Sequence, residues 1–235
     1  PWLVAAKSCG LTTSIVSNGP KMTEEWLTKI RPHLDWLGLS IDASNDEMHA
    51  LMGRGLKGEI ASGFSRHLER SKEVWQIARE LGYGLKLNTV VTSVNADDDM
   101  SELVANLKPH RWKVFRVLRI EGENDGRVEP LLVSQEQFED YMVRHRRSLQ
   151  DFEGTHIVAE DNEDMLGTYA MIDPKGRAYT NKNGRYLYSN KSCIEVGFSD
   201  AWNEVVTGFS ETRFSDRGGD WDWKKAEWNL PLPVL

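Results

Sequence analysis

The first chemistry visible in this chain is charge in an unusual place. Lys86, Arg111 and Lys113 sit inside runs that otherwise read as buried strands. Side chains alternate across a strand. In Gly84–Val91 (GLKLNTVV), Leu85, Leu87 and Thr89 share one face, while Lys86, Asn88 and Val90 share the other. In Arg111–Ile120 (RWKVFRVLRI), Arg111, Lys113 and Phe115 stand opposite Trp112 and Val114. In Leu37–Ile41, the residues Leu37, Leu39 and Ile41 share a face, and Ser40 lies with Gly38. With the apolar faces packed on helices, Ser40, Lys86, Asn88, Arg111 and Lys113 point inward. Buried cations are costly unless an anion neutralises them. Three that converge call for a polyanion such as a phosphate chain. One strand lysine alone is ordinarily an edge or snorkelling residue. The same anomaly in two strands singles these out.

Other candidates carry less. The histidines at 33, 49, 67, 110, 145 and 156 show no HxH or HExxH spacing, so they do not read as a metal site. Asp97-Asp98-Asp99 reads as a helix start favoured by the dipole. Glu121 and Glu123 form an i, i+2 acid pair in a loop. Asn18-Gly19 is a turn, and Ser40 and Arg54 carry nothing when taken singly.

The elements that must position these residues alternate. Thr12–Ser17 reads as a strand, followed by a helix whose N-cap is Thr23 with Glu24 and Glu25 in its first turn. Leu37–Ile41 is a second strand. Glu59–Leu81 reads as one long amphipathic helix closed by Gly82. Gly84–Val91 is a third strand, Asp97–Leu107 a helix, and Arg111–Ile120 a fourth strand. Ser134-Gln135-Glu136-Gln137 fits a capping box opening a helix to about Leu149. Such alternation means parallel pairing, in a barrel or an open α/β sheet. After residue 150 the pattern changes. Thr155–Ala159, Thr168–Asp173 and Arg177–Asn181 read as short strands, and Phe209–Leu235 has no clear period. The expected division is residues 1–150 as the α/β body and 151–235 as an extension covering the site.

Composition sets the bounds. The chain has 235 residues, 29 Lys+Arg against 36 Asp+Glu, and a formal charge of −7. That balance argues against a general nucleic-acid coat. The 40% hydrophobic share is ample for a packed core. No apolar run approaches the roughly 20 residues of a membrane span. The two cysteines, Cys9 and Cys193, cannot supply a disulfide scaffold or a four-thiolate cluster site. The chain starts at Pro1 rather than Met, and is expected to be a fragment or processed form.

The segments SIVSNG (14–19), LGLSID (37–42), LMGRG (51–55), KLNTVV (86–91), RWKVF (111–115) and IEGEN (120–124) resemble, in content and order, the viperin family. Viperins are radical S-adenosylmethionine enzymes of antiviral defence, and the likeness runs to about residue 228. It implies a partial (βα)6 radical-SAM barrel, TIM-like and lacking its first two strands, with a C-terminal extension. It implies a [4Fe–4S] cluster and S-adenosylmethionine as cofactors, and a 5′-deoxyadenosyl radical that takes the 4′ hydrogen of a nucleoside triphosphate such as CTP. Loss of water then gives the 3′-deoxy-3′,4′-didehydro nucleotide. By the same resemblance Asn18, Ser40 and Arg54 would contact the cofactor, Arg54 by holding its methionine carboxylate bidentately. Lys86, Arg111 and Lys113 would hold the triphosphate, with Asn88 and Tyr169 beside the nucleotide. Arg54 could also face phosphate, in one cavity at the barrel mouth.

The departures are as plain. There is no CxxxCxxC loop and no GGEP-type motif, so no metal ligand is assigned in this chain. The family's C-terminal tryptophan, which serves the iron–sulfur assembly machinery, corresponds to Trp228, followed here by seven more residues. Membrane attachment, to the endoplasmic reticulum or lipid droplets in animal viperins, would come from an upstream helix; the other expectation is cytoplasmic. Two further readings stand beside the enzyme. One is a truncated, cluster-free relative that only binds nucleotide or a partner. The other is a barrel lyase using Lys86 as a Schiff-base amine.

Overall fold

The computed structural model of the chain describes residues 1–222. Five strands form one parallel sheet in chain order: β1 (Ser14–Ser17), β2 (Trp36–Ser40), β3 (Gly84–Val91), β4 (Arg111–Arg116) and β5 (His156–Glu160). Helix α1 (Trp2–Ser8) precedes the sheet. Parallel neighbours need crossovers. Helix α2 (Glu24–Ile30) joins β1 to β2. Helices α3 (Asp46–Leu51), α4 (Lys57–Ala61) and α5 (His67–Glu80) lie between β2 and β3. Helices α6 (Ser101–Leu107) and α7 (Gln135–Ser148) make the next two crossovers. Each crossover steps one strand in the same direction, so right-handed connections put the helices on one face. The core is there. Leu37, Leu39, Leu85, Leu87, Trp112 and Val114 pack with Leu27, Val74, Trp75, Val104, Phe138 and Tyr141.

Local signals set several boundaries. Thr23 caps α2 by accepting from Trp26 N at 3.2 Å, and Ser134 with Gln137 closes the expected capping box on α7. Other expectations need correction. The single helix over 59–81 is two. Gly63 takes φ +72, and Glu59 turns back to accept from Leu56 N and to pair with Arg70 at 2.5 Å. The helix placed at Asp97 begins at Ser101. Asp98 instead accepts from the backbone N and Oγ of Ser44, both at 2.7 Å, which fixes the loop after β2. The fourth strand ends at Arg116, not Ile120.

Beyond β5 come α8 (Asn162–Met165) and a three-stranded antiparallel sheet of β6 (Met171–Ile172), β7 (Arg177–Lys182) and β8 (Arg185–Ser192). The strand expected over 168–173 shrinks to two residues. Strand β8 had no counterpart in the reading, although Asn183-Gly184, both at positive φ, marks a tight hairpin. Glu121 and Glu123 serve this hairpin: Arg185 Nε donates to Glu121 at 2.6 Å, and Tyr188 donates to Glu123 at 3.3 Å. Helices α9 (Cys193–Val196), α10 (Phe198–Asn203) and α11 (Glu211–Asp216) follow. Residue 150 falls within the α7–β5 crossover, so the parallel sheet takes its last strand from the later segment. No helix among the described residues is long and apolar enough to cross a membrane. Trp228 lies outside the described residues.

Candidate functional site

Strand register brings the inward residues together. Lys86 on β3 lies opposite Gly38 on β2 and Arg111 on β4, and Asn88 lies opposite Ser40 and Lys113. All five expected residues therefore occupy two adjacent rows on the face away from the helices. Lys86, Arg111 and Lys113 are buried. Gly38 makes room for one of them. A Cβ there would stand 3.2 Å from Lys86 Cε and 3.0 Å from Val16 Cγ2. The Oδ1 of Asn88 is buried with no hydrogen-bond partner among the described residues.

The centre of this cluster is a residue that the sequence reading missed. Glu160, the last residue of β5, is fully buried. Its Oε1 takes the Lys113 ammonium and, at 2.6 Å, Arg217 Nη1. Its Oε2 accepts from the Tyr169 hydroxyl. Arg217 was missed as well. It donates to Thr168 O at 2.9 Å and stacks 4.3 Å above the Tyr169 ring. Arg111 donates to Gly218 O at 2.7 Å and lies 4.7 Å over Trp221. The segment 217–221 thus lies across the same face. A faint signal existed: in His156–Glu160, alternation puts Glu160 on one face with His156 and Val158. Arg217 sits in a stretch without any period, and its partners lie 49 and 57 residues earlier.

The electrostatics follow from crowding. Burial lowers the Lys86 ammonium to about 8, and the Lys113 and Arg111 charges press the same way. Burial also brings Lys113 to about 8, opposed by Glu160 and reinforced by Arg217 and Arg111. The Tyr169 phenol is pushed up by burial and by Glu160, so it stays a donor. Cations held this way gain from an added anion.

Ser40 and Arg54 belong to a second nest. Asp42, just past β2, is 1% exposed and pairs with Arg54 Nε at 2.5 Å, while Arg54 is 36% exposed. Asp42 also accepts from Val90 N at 2.8 Å. His49 Nε2 accepts from Asp42 N and Ala43 N at 3.3 and 3.2 Å. Burial, then His67, drives His49 down to about 4, so it is neutral. His67 Nε2 donates to Ser40 O at 2.8 Å, and the two rings meet edge-on at 4.8 Å. Arg54 is tied by its N to His49 O at 2.8 Å and by its O to Ser65 Oγ at 2.7 Å. Asp42, His49 and His67 were not singled out from sequence. The partner found for Arg54 is Asp42, not the cationic cluster. Asn18 directly follows Ser17, which pairs with Leu39 next to Ser40. It lines a cavity of about 410 Å³ with Ser17, Pro20, Lys21, Met22 and Trp26, whose walls include neither Ser40 nor Arg54.

The cofactors implied by the resemblance fare differently. Arg54, held by Asp42 at Nε and partly open, fits a carboxylate such as that of S-adenosylmethionine. A [4Fe–4S] cluster does not fit. Cys9 caps α1 and is exposed, and Cys193 opens α9. Among the described residues no three His, Cys, Asp or Glu side chains are grouped to hold a metal.

Solved structures that bind S-adenosylmethionine share this parallel sheet with its helices. The solved structure of native anSMEcpe with bound AdoMet and Cp18Cys peptide superposes at TM-score 0.64, with 13% identity, over 87% of this chain and 61% of that one. Streptococcus suis SuiB bound to S-adenosylmethionine gives 0.59, with 12% identity, over 92% and 52%. No family model matches the chain. Curated relatives go further. An S-adenosylmethionine-dependent nucleotide dehydratase of Flammeovirga pacifica is 37% identical over 230 residues, 95% of this chain and 74% of that protein. Relatives of the same description from Lacinutrix mariniflava and Danio rerio are 35% and 36% identical over 93% of this chain, which spans 43% and 58% of their lengths. The chain belongs to the S-adenosylmethionine-dependent nucleotide dehydratases, the viperin family.

Proposed function

We propose that this chain provides the nucleotide and S-adenosylmethionine sites of an enzyme that dehydrates a nucleoside triphosphate to its 3′-deoxy-3′,4′-didehydro form. The observation that carries this reading is the buried row of Lys86, Arg111 and Lys113, joined by Arg217, on one sheet face. Lys86, Arg111, Lys113 and Arg217 bind the triphosphate. Asn88 offers its buried amide oxygen to the nucleotide, and Tyr169 bounds the site from the extension. Arg54 holds the methionine carboxylate near Ser40, with Asn18 at the cavity after β1. The sheet is read as part of a (βα)6 barrel, with residues 1–150 and β5 as its body and the described residues after β5 as cover. The iron–sulfur assembly machinery is a proposed partner.

A phosphate site predicts a simple result. The chain should bind inorganic triphosphate and a nucleoside triphosphate in titration calorimetry, and a nucleoside without phosphates far more weakly. Nucleoside bound as tightly as nucleotide would remove the reading. A Schiff-base role for Lys86 is disfavoured by its neighbours, because the adjacent Lys113 and Arg111 charges suit a bound polyanion. Borohydride trapping on Lys86 would revive it.

A further inference from the structure

Glu160 is an odd residue to find in a site for polyanions. Its carboxylate is fully buried and faces the groups that phosphate would use. It has contacts on three elements: Lys113 on β4, Tyr169 before β6, and Arg217 just after α11. Among the described residues, Lys86 on β3 and Arg111 on β4 also feel its charge, and His156 on β5 lies opposite Arg111. A bare competitor for phosphate would need only the cations. Glu160 also grips a neutral hydroxyl, and it ties the segment carrying Arg217 to the sheet.

We propose that Glu160 is the positioning residue of the triphosphate site: its carboxylate holds Lys113, Arg217 and Tyr169 in the arrangement that receives the phosphates. This rests on the phosphate reading above. Glu160 is the attractive charge on Lys113, set against burial, Arg217 and Arg111. Remove it, and Lys113 sheds its proton at lower pH. A merely structural residue would not move that titration.

The test is inorganic triphosphate binding to the full chain, measured by calorimetry from pH 6.5 to 9.5. Wild-type affinity should hold to about pH 8 and then fall as the lysines discharge. Glu160→Gln should weaken binding roughly ten-fold or more at pH 7.5 and start the fall about one pH unit earlier. Glu160→Asp, which keeps the charge but draws it back by a methylene, should lie between the two and is the variant that decides if Glu160→Gln does not fold. A profile unchanged in either folded variant overturns the proposal. So does tighter binding, which would mark Glu160 as a competitor for the cations. Lys113→Ala separates the two claims. If it weakens triphosphate binding while the Glu160 variants do not, the site stands and the role of Glu160 falls. If it has no effect, both fall.

Discussion

Around Arg54, each charge meets its opposite inside the fold. Asp42 takes the guanidinium, and two neutral histidines fix the backbone on either side. Around Lys113, cations gather on cations. Burial depresses Lys86 and Lys113, the neighbouring cations press the same way, and Glu160 at their centre opposes them. The two nests share one sheet, and Ser40 and Asn88 are register partners between them. The difference is one of state. The Arg54 nest is complete as it stands and presents one edge of a fixed guanidinium. The Lys113 nest crowds buried cations together, the imbalance that the proposed polyanion would relieve.

The most complete expected effect concerns what neither nest contains. With two separated cysteines, the 235-residue chain alone should gain no stoichiometric [4Fe–4S] cluster on anaerobic reconstitution and form no 5′-deoxyadenosine. Iron and sulfide near four per chain would break this view of both regions.

Acid should break the Arg54 nest first. His49 has a folded value of about 4 against 6.5 when free. A depressed value means that stability is present in full above 6.5 and is lost as pH falls toward 4. The gap corresponds to about 3 kcal/mol. Denaturant melts at pH 7 and 4.5 measure it, and His49→Gln should shrink the difference between them. His110 titrates near 4 as well and leaves a remainder. An identical pH dependence in the variant would show that His49 is not held neutral.

Substitutions sharpen the comparison further. Lys113→Ala should weaken nucleoside triphosphate binding ten- to a hundred-fold, since a charged hydrogen bond is worth about 1.5–3 kcal/mol. S-adenosylmethionine binding should change less than about two-fold. Arg54→Ala should do the reverse. Calorimetry on both variants with both ligands decides the matter. Equal losses for the two ligands would merge the nests into one site and misassign both.

Much of this was legible in the sequence because strand parity is local. Lys86, Asn88, Ser40, Arg111 and Lys113 declared their face within runs of five to ten residues. What escaped was set by distant partners. Glu160 ends a short strand whose neighbour is known only after β4 and β5 pair. Arg217 depends on a segment without periodicity reaching back over the sheet. Asp42 and His49 look unremarkable until the loop after β2 folds onto α3. The helix over 59–81 was misread because its apolar spacing is sound, whereas Gly63 and the capping carboxylate of Glu59 interrupt it.

The tether from Arg111 to Gly218 joins residues 107 apart in the chain, and that of Glu160 to Arg217 spans 57. Contacts so remote carry a high loop-closure entropy and form late. The parallel sheet can therefore assemble on the ribosome before Arg217 has been made, with Glu160 already beside Lys113. Ligand competence becomes a timing signal: the site is finished only once residues 217 and 218 have been made. Pulse-labelled hydrogen exchange during refolding should show β3 and β4 protected before the amides of residues 217–219. Simultaneous protection would instead mean that the sheet waits for its cover.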